Sequence, residues 1–267
     1  MRLTAVLWDS LHPLMVKTFS GSSFETRIYA NRQVDNSESA LEMACRDMEN
    51  ADLILLYRTT HGFWDAIDPF LESLKASGKR IICVGQNPVF WALSTVEPRI
   101  AADIYRYLLN GTEENFRRLI GYLEHEFLDE PAVPDPPLEI PWQGLVDPRS
   151  EKDVFDSLEE YLESYPSENR RPRVAVIISR SAWISGQNSI EKEFVEALRS
   201  EGLGVITIMT NSLHNEETGS LNISECLIKH TIRGGEPVID GIVKLVTFMA
   251  GTSIIVKIWD DSPAESS

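Results

Sequence analysis

The sequence predicts an α/β fold made of two successive open sheets of parallel strands. Three observations predict it. Short apolar, β-rich runs alternate with amphipathic helical stretches, the connections between them are short, and a proline-dense stretch separates one such series from the next. The first series is expected to form a flavodoxin-like parallel sheet with helices on both faces. The second begins a fresh α/β sheet and stops early.

The elements follow in order. Residues 3–8 read as a buried strand, and residues 37–50 as a helix with Ala40, Leu41, Ala44 and Met48 on one face. Residues 52–57 are a second strand, residues 63–77 a helix that stops at Gly78, and residues 80–84 a third strand. No GxGxxG or Walker loop follows any of these strands, so a nucleotide site of the usual kind is not supported. Two helices come next, over 99–110 and 113–128, with Gly111 in a C-cap place and Thr112 as the N-cap of the second. Phe116, Leu119, Ile120, Leu123 and Phe127 give that helix an apolar stripe for the core. Residues 1–128 thus form the head domain.

Residues 129–150 carry Pro131, Pro134, Pro136, Pro137, Pro141 and Pro148, a density that forbids a helix and predicts an extended linker. Beyond it, residues 152–165 read as a helix, 173–179 as a strand, 189–201 as a helix and 204–209 as a strand. A short helix over 224–232 and a third strand within 238–248 complete a second domain, residues 151–259, with a polar tail over 260–267. Three parallel strands leave unpaired backbone edges, so this domain reads as incomplete.

Composition narrows the function. The 43% hydrophobic content allows a real core, and a net charge of -16 disfavours both nucleic acid and anionic membrane surfaces as partners. Cys45, Cys83 and Cys226 are far apart with no CxxC pair, which fits a reducing cytoplasm. The N-terminus has no signal-peptide pattern, and residues 239–258 are broken by charges and by Gly251, as two buried strands would be.

Two stretches carry a resemblance. The first runs Leu93-Ser94-Thr95-Val96-Glu97-Pro98, then Tyr105, Gly111, Glu114-Asn115-Phe116-Arg117 and Tyr122-Leu123. The second runs from Pro172 to Ser181, then Trp183, Ser185-Gly186, Asn188, Ile190, Leu198 and Gly202-Leu203. In order and spacing they resemble the cobaltochelatase large subunit, of the family shared with the magnesium chelatase large subunit. Val146-Asp147 departs from the family's Tyr-His pair in the linker, and the likeness fades past Phe248.

The resemblance implies a part in ATP-dependent cobalt insertion into a corrin ring in cobalamin biosynthesis, a ligase-class activity. Cobalt and ATP belong to the full complex, and the expected partners are the tetrapyrrole or corrin substrate and separate ATPase chelatase subunits. Full family members are several times longer with their conserved core downstream, so no catalytic residue is assigned and the chain is expected not to act alone. A non-catalytic tetrapyrrole-binding or chelatase-assembly module is the alternative.

The residues offer one loop for the ring, 180–188, at the carboxyl end of a strand. Arg180 could pair with a carboxylate, Trp183 stack on a macrocycle, Gly186 allow close approach, and Asn188 open a helix whose amides favour anions. Arg170, Arg171 and Arg173 add local positive charge. The same residues would equally serve as a helix cap, a packed indole and solvated arginines. Asp9 to Leu11, Arg58 to His61 and Gly85 to Asn87 end three strands that could converge, but His61 has no partner at i+3 or i+4 and reads as a loop residue. No metal site is assigned.

Overall fold

In the computed structural model, which describes residues 1–150, 153–212, 214–216 and 218–246, alternate side chains of the first sheet pack on its two faces, both of them buried. Strands β1 (Arg2–Leu7), β2 (Glu25–Ala30), β3 (Leu53–Tyr57) and β4 (Arg80–Val84) are all parallel, in the order β2-β1-β3-β4. Leu3, Leu7, Leu53, Leu55, Ile82 and Val84 point to one face, where α1 (His12–Phe19), α5 (Pro98–Leu109) and α6 (Glu113–Leu128) pack. Val6, Ile54, Leu56, Ile81 and Cys83 point to the other, against α3 (Glu38–Asn50) and α4 (Phe63–Ala76). Burial pushes the Cys83 thiol up to about 12, so it is an inert part of this core. The expected doubly wound α/β architecture is present, and this strand order belongs to the flavodoxin-like class.

Helix α1, strand β2 and the short α2 (Asn31–Asp35) are additional to the elements expected from the sequence. Strand β2 lies at the sheet edge with only Tyr29 buried, so its charged and polar positions hide the strand signal. Thr112 does cap α6, accepting the Asn115 amide at 3.1 Å. Gly111 is needed for space, not for a left-handed turn: a Cβ there would sit 2.4 Å from a Leu11 methyl.

Residues 129–140 have no regular structure, yet side chains of α5 and α6 hold them. The Asn115 amide accepts Leu138 N–H at 2.7 Å and donates to Leu138 C=O at 2.8 Å. Asn110 accepts from Ile140 N–H at 3.1 Å, and Arg118 donates to the Pro136 carbonyl at 2.8 Å. Chain contacts divide the protein into Met1–Ile140 and Pro141–Ser267.

The second unit corrects three expectations. Gln143–Val146, inside the stretch read as linker, is strand β5, and it pairs antiparallel with β8 (Gly204–Thr210). The open edge expected on that side is therefore covered. The described part of 152–165 is not one helix but β6 (Val154–Phe155) followed by α7 (Leu158–Ser164). With β7 (Arg173–Ser179) and β11 (Gly241–Lys244) the sheet is mixed and, among the described residues, five-stranded, ordered β11-β7-β8-β5-β6. Three short stretches, α8 (Arg180–Ile184), β9 (Ile232–Arg233) and β10 (Glu236–Pro237), join α9 (Ser189–Ser200) and α10 (Ile223–Thr231). The expectations for residues 247–267, including the polar tail, lie outside the described residues.

Beneath this sheet sits a buried ionic group. Arg199 meets Glu168 at 2.8 Å and Asp147 at 3.0 Å, and all three side chains are nearly excluded from solvent. Arg149 grips the same Asp147 through two nitrogens, at 2.6 and 3.0 Å. Burial alone would raise the Asp147 carboxyl, but Arg149 and Arg199 hold it below its usual range.

Candidate functional site

A parallel doubly wound sheet places ligands at the carboxyl ends of its strands, where the strand order reverses. In the first sheet that point lies between β1 and β3, and flat side chains gather there. Trp8 follows β1 and lies 6.0 Å from the Tyr57 ring at the end of β3; Tyr57 stacks on Tyr105 of α5 at 6.2 Å; Tyr105 meets Trp91 edge-on at 5.1 Å. Trp8, Trp91 and Tyr105 are half-buried and packed against the core of this unit, and Tyr57 is buried. The Trp91 indole N–H donates to the Gly85 carbonyl at 2.9 Å, which fixes its plane. Burial raises the Tyr105 hydroxyl above its ordinary range, with a hydrogen bond to Tyr57 offsetting part of the effect.

A polar group lies at the same strand ends, linked to the end of β3 through the Tyr57 backbone carbonyl. Asn31, 0% exposed at the start of α2, donates to the Tyr57 carbonyl at 3.3 Å and to the Thr59 hydroxyl at 3.1 Å. The Thr59 hydroxyl also lies 2.6 Å from His61 Nδ1 and accepts the Trp64 indole N–H at 3.4 Å. Asn31 Oδ1 is an acceptor left over once both partners of its amide nitrogen are placed. Asp9 accepts Arg32 N–H at 3.1 Å, tying the β1 end to α2. The three strand ends therefore do converge. His61 is a loop residue, as read, but one built into this group.

Arg58 is not free to meet a ligand. Its guanidinium pairs with both oxygens of Asp68, lies 3.4 Å from Asp65, and sits 4.8 Å over the Phe90 ring. Its backbone N–H bonds the Val84 carbonyl at 2.8 Å, and Gly85 passes so close that a Cβ would lie 2.4 Å from the Arg58 carbonyl. The rim between β3 and β4 is therefore moored to α4.

The loop expected to hold the ring is placed differently. Arg180 is 3% exposed, with Nε donating to the Pro141 carbonyl at 2.9 Å and its guanidinium 4.7 Å over the Trp142 ring. Trp183 is 4% exposed, and Asn188, 3% exposed, donates to the Pro148 carbonyl at 3.1 Å rather than capping α9. Only Gly186 faces solvent, in a left-handed conformation with φ +71. A contact role needs outward side chains, and here three of the four are buried, two of them, Arg180 and Asn188, holding the 141–148 stretch. The neighbouring arginines are also committed: Arg173 is buried and bonds the Glu168 and Val238 carbonyls, and Arg171 pairs with Asp240 at 2.7 Å.

Among the described residues no three His, Cys, Asp or Glu side chains lie close enough to hold a metal, and no helix is long and apolar enough to cross a membrane. The sequence assigns no site role to Asn31, Thr59, Tyr57, Trp91 or Tyr105, although Tyr105 belongs to the first resemblance stretch. The available signal was Trp8, directly after β1, and Trp91, in the stretch that follows β4.

The fold is thus a doubly wound α/β unit with an aromatic carboxyl edge, followed by a mixed-sheet α/β unit. The chain belongs to the CobN/Magnesium Chelatase family, whose model matches residues 105–257. Among curated proteins, uncharacterized protein MJ1441 of Methanocaldococcus jannaschii is 25% identical over 257 residues, 94% of this chain and 19% of that protein. MJ0908 of the same organism is 20% identical over 169 residues, 63% of this chain and 14% of that one. The chain therefore spans less than a fifth of the length of these relatives. Among solved structures, the catalytic subunit of cobaltochelatase from Mycobacterium tuberculosis matches with a TM-score of 0.49 and 16% identity, over 82% of this chain and 17% of that one.

Proposed function

We propose that this chain is a macrocycle-handling segment of a chelatase large subunit, taking part in ATP-dependent cobalt insertion into a corrin-type ring. Metal and proton chemistry fall to residues outside the segment, and ATP hydrolysis to partner subunits, in a reducing cytoplasm. Family membership supports the chelatase assignment. The observation that carries the ring-binding part is the group of half-buried Trp8, Tyr105 and Trp91 around the buried Tyr57 at the β1/β3 switch point, with the Asn31–Thr59–His61 group at the same strand ends. Half-buried aromatic rings suit a large planar conjugated ligand, and polar groups at the same edge suit its peripheral substituents.

Titration of the purified chain with a corrinoid or porphyrin, followed by the visible band, tests this reading. A saturable band shift is expected, weakened about tenfold or more when Trp8 and Trp91 are both replaced by Ala. No spectral change at high protein concentration, or a shift indifferent to that double replacement, refutes it.

A further inference from the structure

We propose that Thr59 locks His61 in its Nε2–H tautomer, so that these strand ends offer a bound ring a hydrogen-bond donor for a peripheral carboxylate and not a metal-ligating nitrogen. This rests on the ring-handling reading above and assigns His61 a part in it.

The hydrogens around one oxygen, Thr59 Oγ1, fix the tautomer. Three nitrogens contact Thr59 Oγ1: Asn31 Nδ2 at 3.1 Å, Trp64 Nε1 at 3.4 Å and His61 Nδ1 at 2.6 Å. The indole N–H can only donate. The Asn31 nitrogen is identified by its second partner, the Tyr57 carbonyl at 3.3 Å, which can only accept. These two donors occupy both lone pairs of the hydroxyl. Its single hydrogen is left for His61 Nδ1, which must accept it. A neutral imidazole that accepts at Nδ1 carries its proton on Nε2.

Both ring nitrogens are then assigned. Nδ1 is taken by Thr59, and Nε2 bears a hydrogen, whereas a metal requires an unprotonated ring nitrogen. His61 is half-buried, with its ring 6.3 Å from that of Phe63, and Nε2–H is its remaining donor. The group that answers a fixed donor at the same strand ends as the aromatic group is an acceptor on the rim of a planar ligand. An ionised carboxylate is the strongest such acceptor.

The test has two arms on the full chain. In the first, nitrogen NMR of ¹⁵N-histidine-labelled protein, with the His61 signal assigned through His61→Gln, should show a pyridine-type Nδ1 and a pyrrole-type Nε2. Thr59→Val should mix the two tautomers and Thr59→Ser should restore the bias. A protonated Nδ1 or an unbiased mixture in the unsubstituted chain overturns the proposal. In the second arm, a carboxylate-bearing porphyrin and one without peripheral acceptors are titrated into the chain and into His61→Phe. Binding of the carboxylate form should weaken about tenfold and that of the other stay unchanged. Equal effects on both, or none, overturn the donor role. If the chain binds neither porphyrin, the ring-handling reading fails together with the ligand half of this one, while the NMR arm still decides the tautomer.

Discussion

His230 closes the last turn of α10 at 0% exposure, and among the described residues neither ring nitrogen has a hydrogen-bond partner. Burial, helped by Lys229 and Arg233 and opposed by Asp156, pulls its pKa down to about 4. Those neighbours are themselves paired, Lys229 with Asp156 at 2.5 Å and Arg233 with Glu159 at 2.9 Å, so net local charge is small. The folded pKa lies below the unfolded value of about 6.5, so the unfolded chain takes the proton first. The stability contribution is whole above pH 6.5 and is lost as pH falls toward 4. Between pH 7 and 5 the linkage relation gives a loss of about 2 kcal/mol. Urea unfolding followed by tryptophan fluorescence should therefore show the second unit's midpoint dropping by roughly 1 M over that interval. His230→Leu removes the titrating group and two unpartnered polar atoms, and should hold its midpoint nearly level. Parallel decline of the two proteins would refute the assignment.

Three further outcomes are expected. Arg199→Met strands the buried Asp147 and Glu168 carboxylates and should cost about 3 kcal/mol in urea unfolding; a loss under about 1 kcal/mol would show that Arg149 alone neutralises the group. Gly85→Ala drives a Cβ into the Arg58 carbonyl and should cost about 2 kcal/mol, and because Gly85 also fixes Trp91 it should weaken porphyrin binding in the visible titration. Asn115→Leu leaves the Leu138 N–H and C=O without partners, at a cost of about 2 kcal/mol, and limited proteolysis should cut residues 129–140 faster.

Strands β1, β3 and β4 were legible because both faces are buried and their apolar runs are nearly unbroken. Strand β2 was not, since a half-exposed edge needs no such run. Strand β5 was hidden by Pro141 and Pro148 on either side of its four residues, which made a strand look like part of a linker. The aromatic group was illegible for another reason: Trp8, Tyr57, Trp91 and Tyr105 come from four separated positions, and only the β2-β1-β3-β4 order brings them to one edge.

The expected ring loop shows how a motif residue can be important without touching a ligand. A proline contributes a carbonyl but no N–H, so a proline-dense stretch is left with acceptors that neither helix nor sheet can satisfy. Three polar residues from the motifs bond the backbone of such stretches: Asn115 at Leu138, Arg180 at Pro141 and Asn188 at Pro148. Each is buried, and each supplies the donor that its own unit's proline-containing backbone lacks. Their arrangement in sequence thus records how the chain secures residues 138–148, and chemistry should be sought where a polar group remains half-exposed at the carboxyl end of a strand. His61 meets that condition and Arg180 does not.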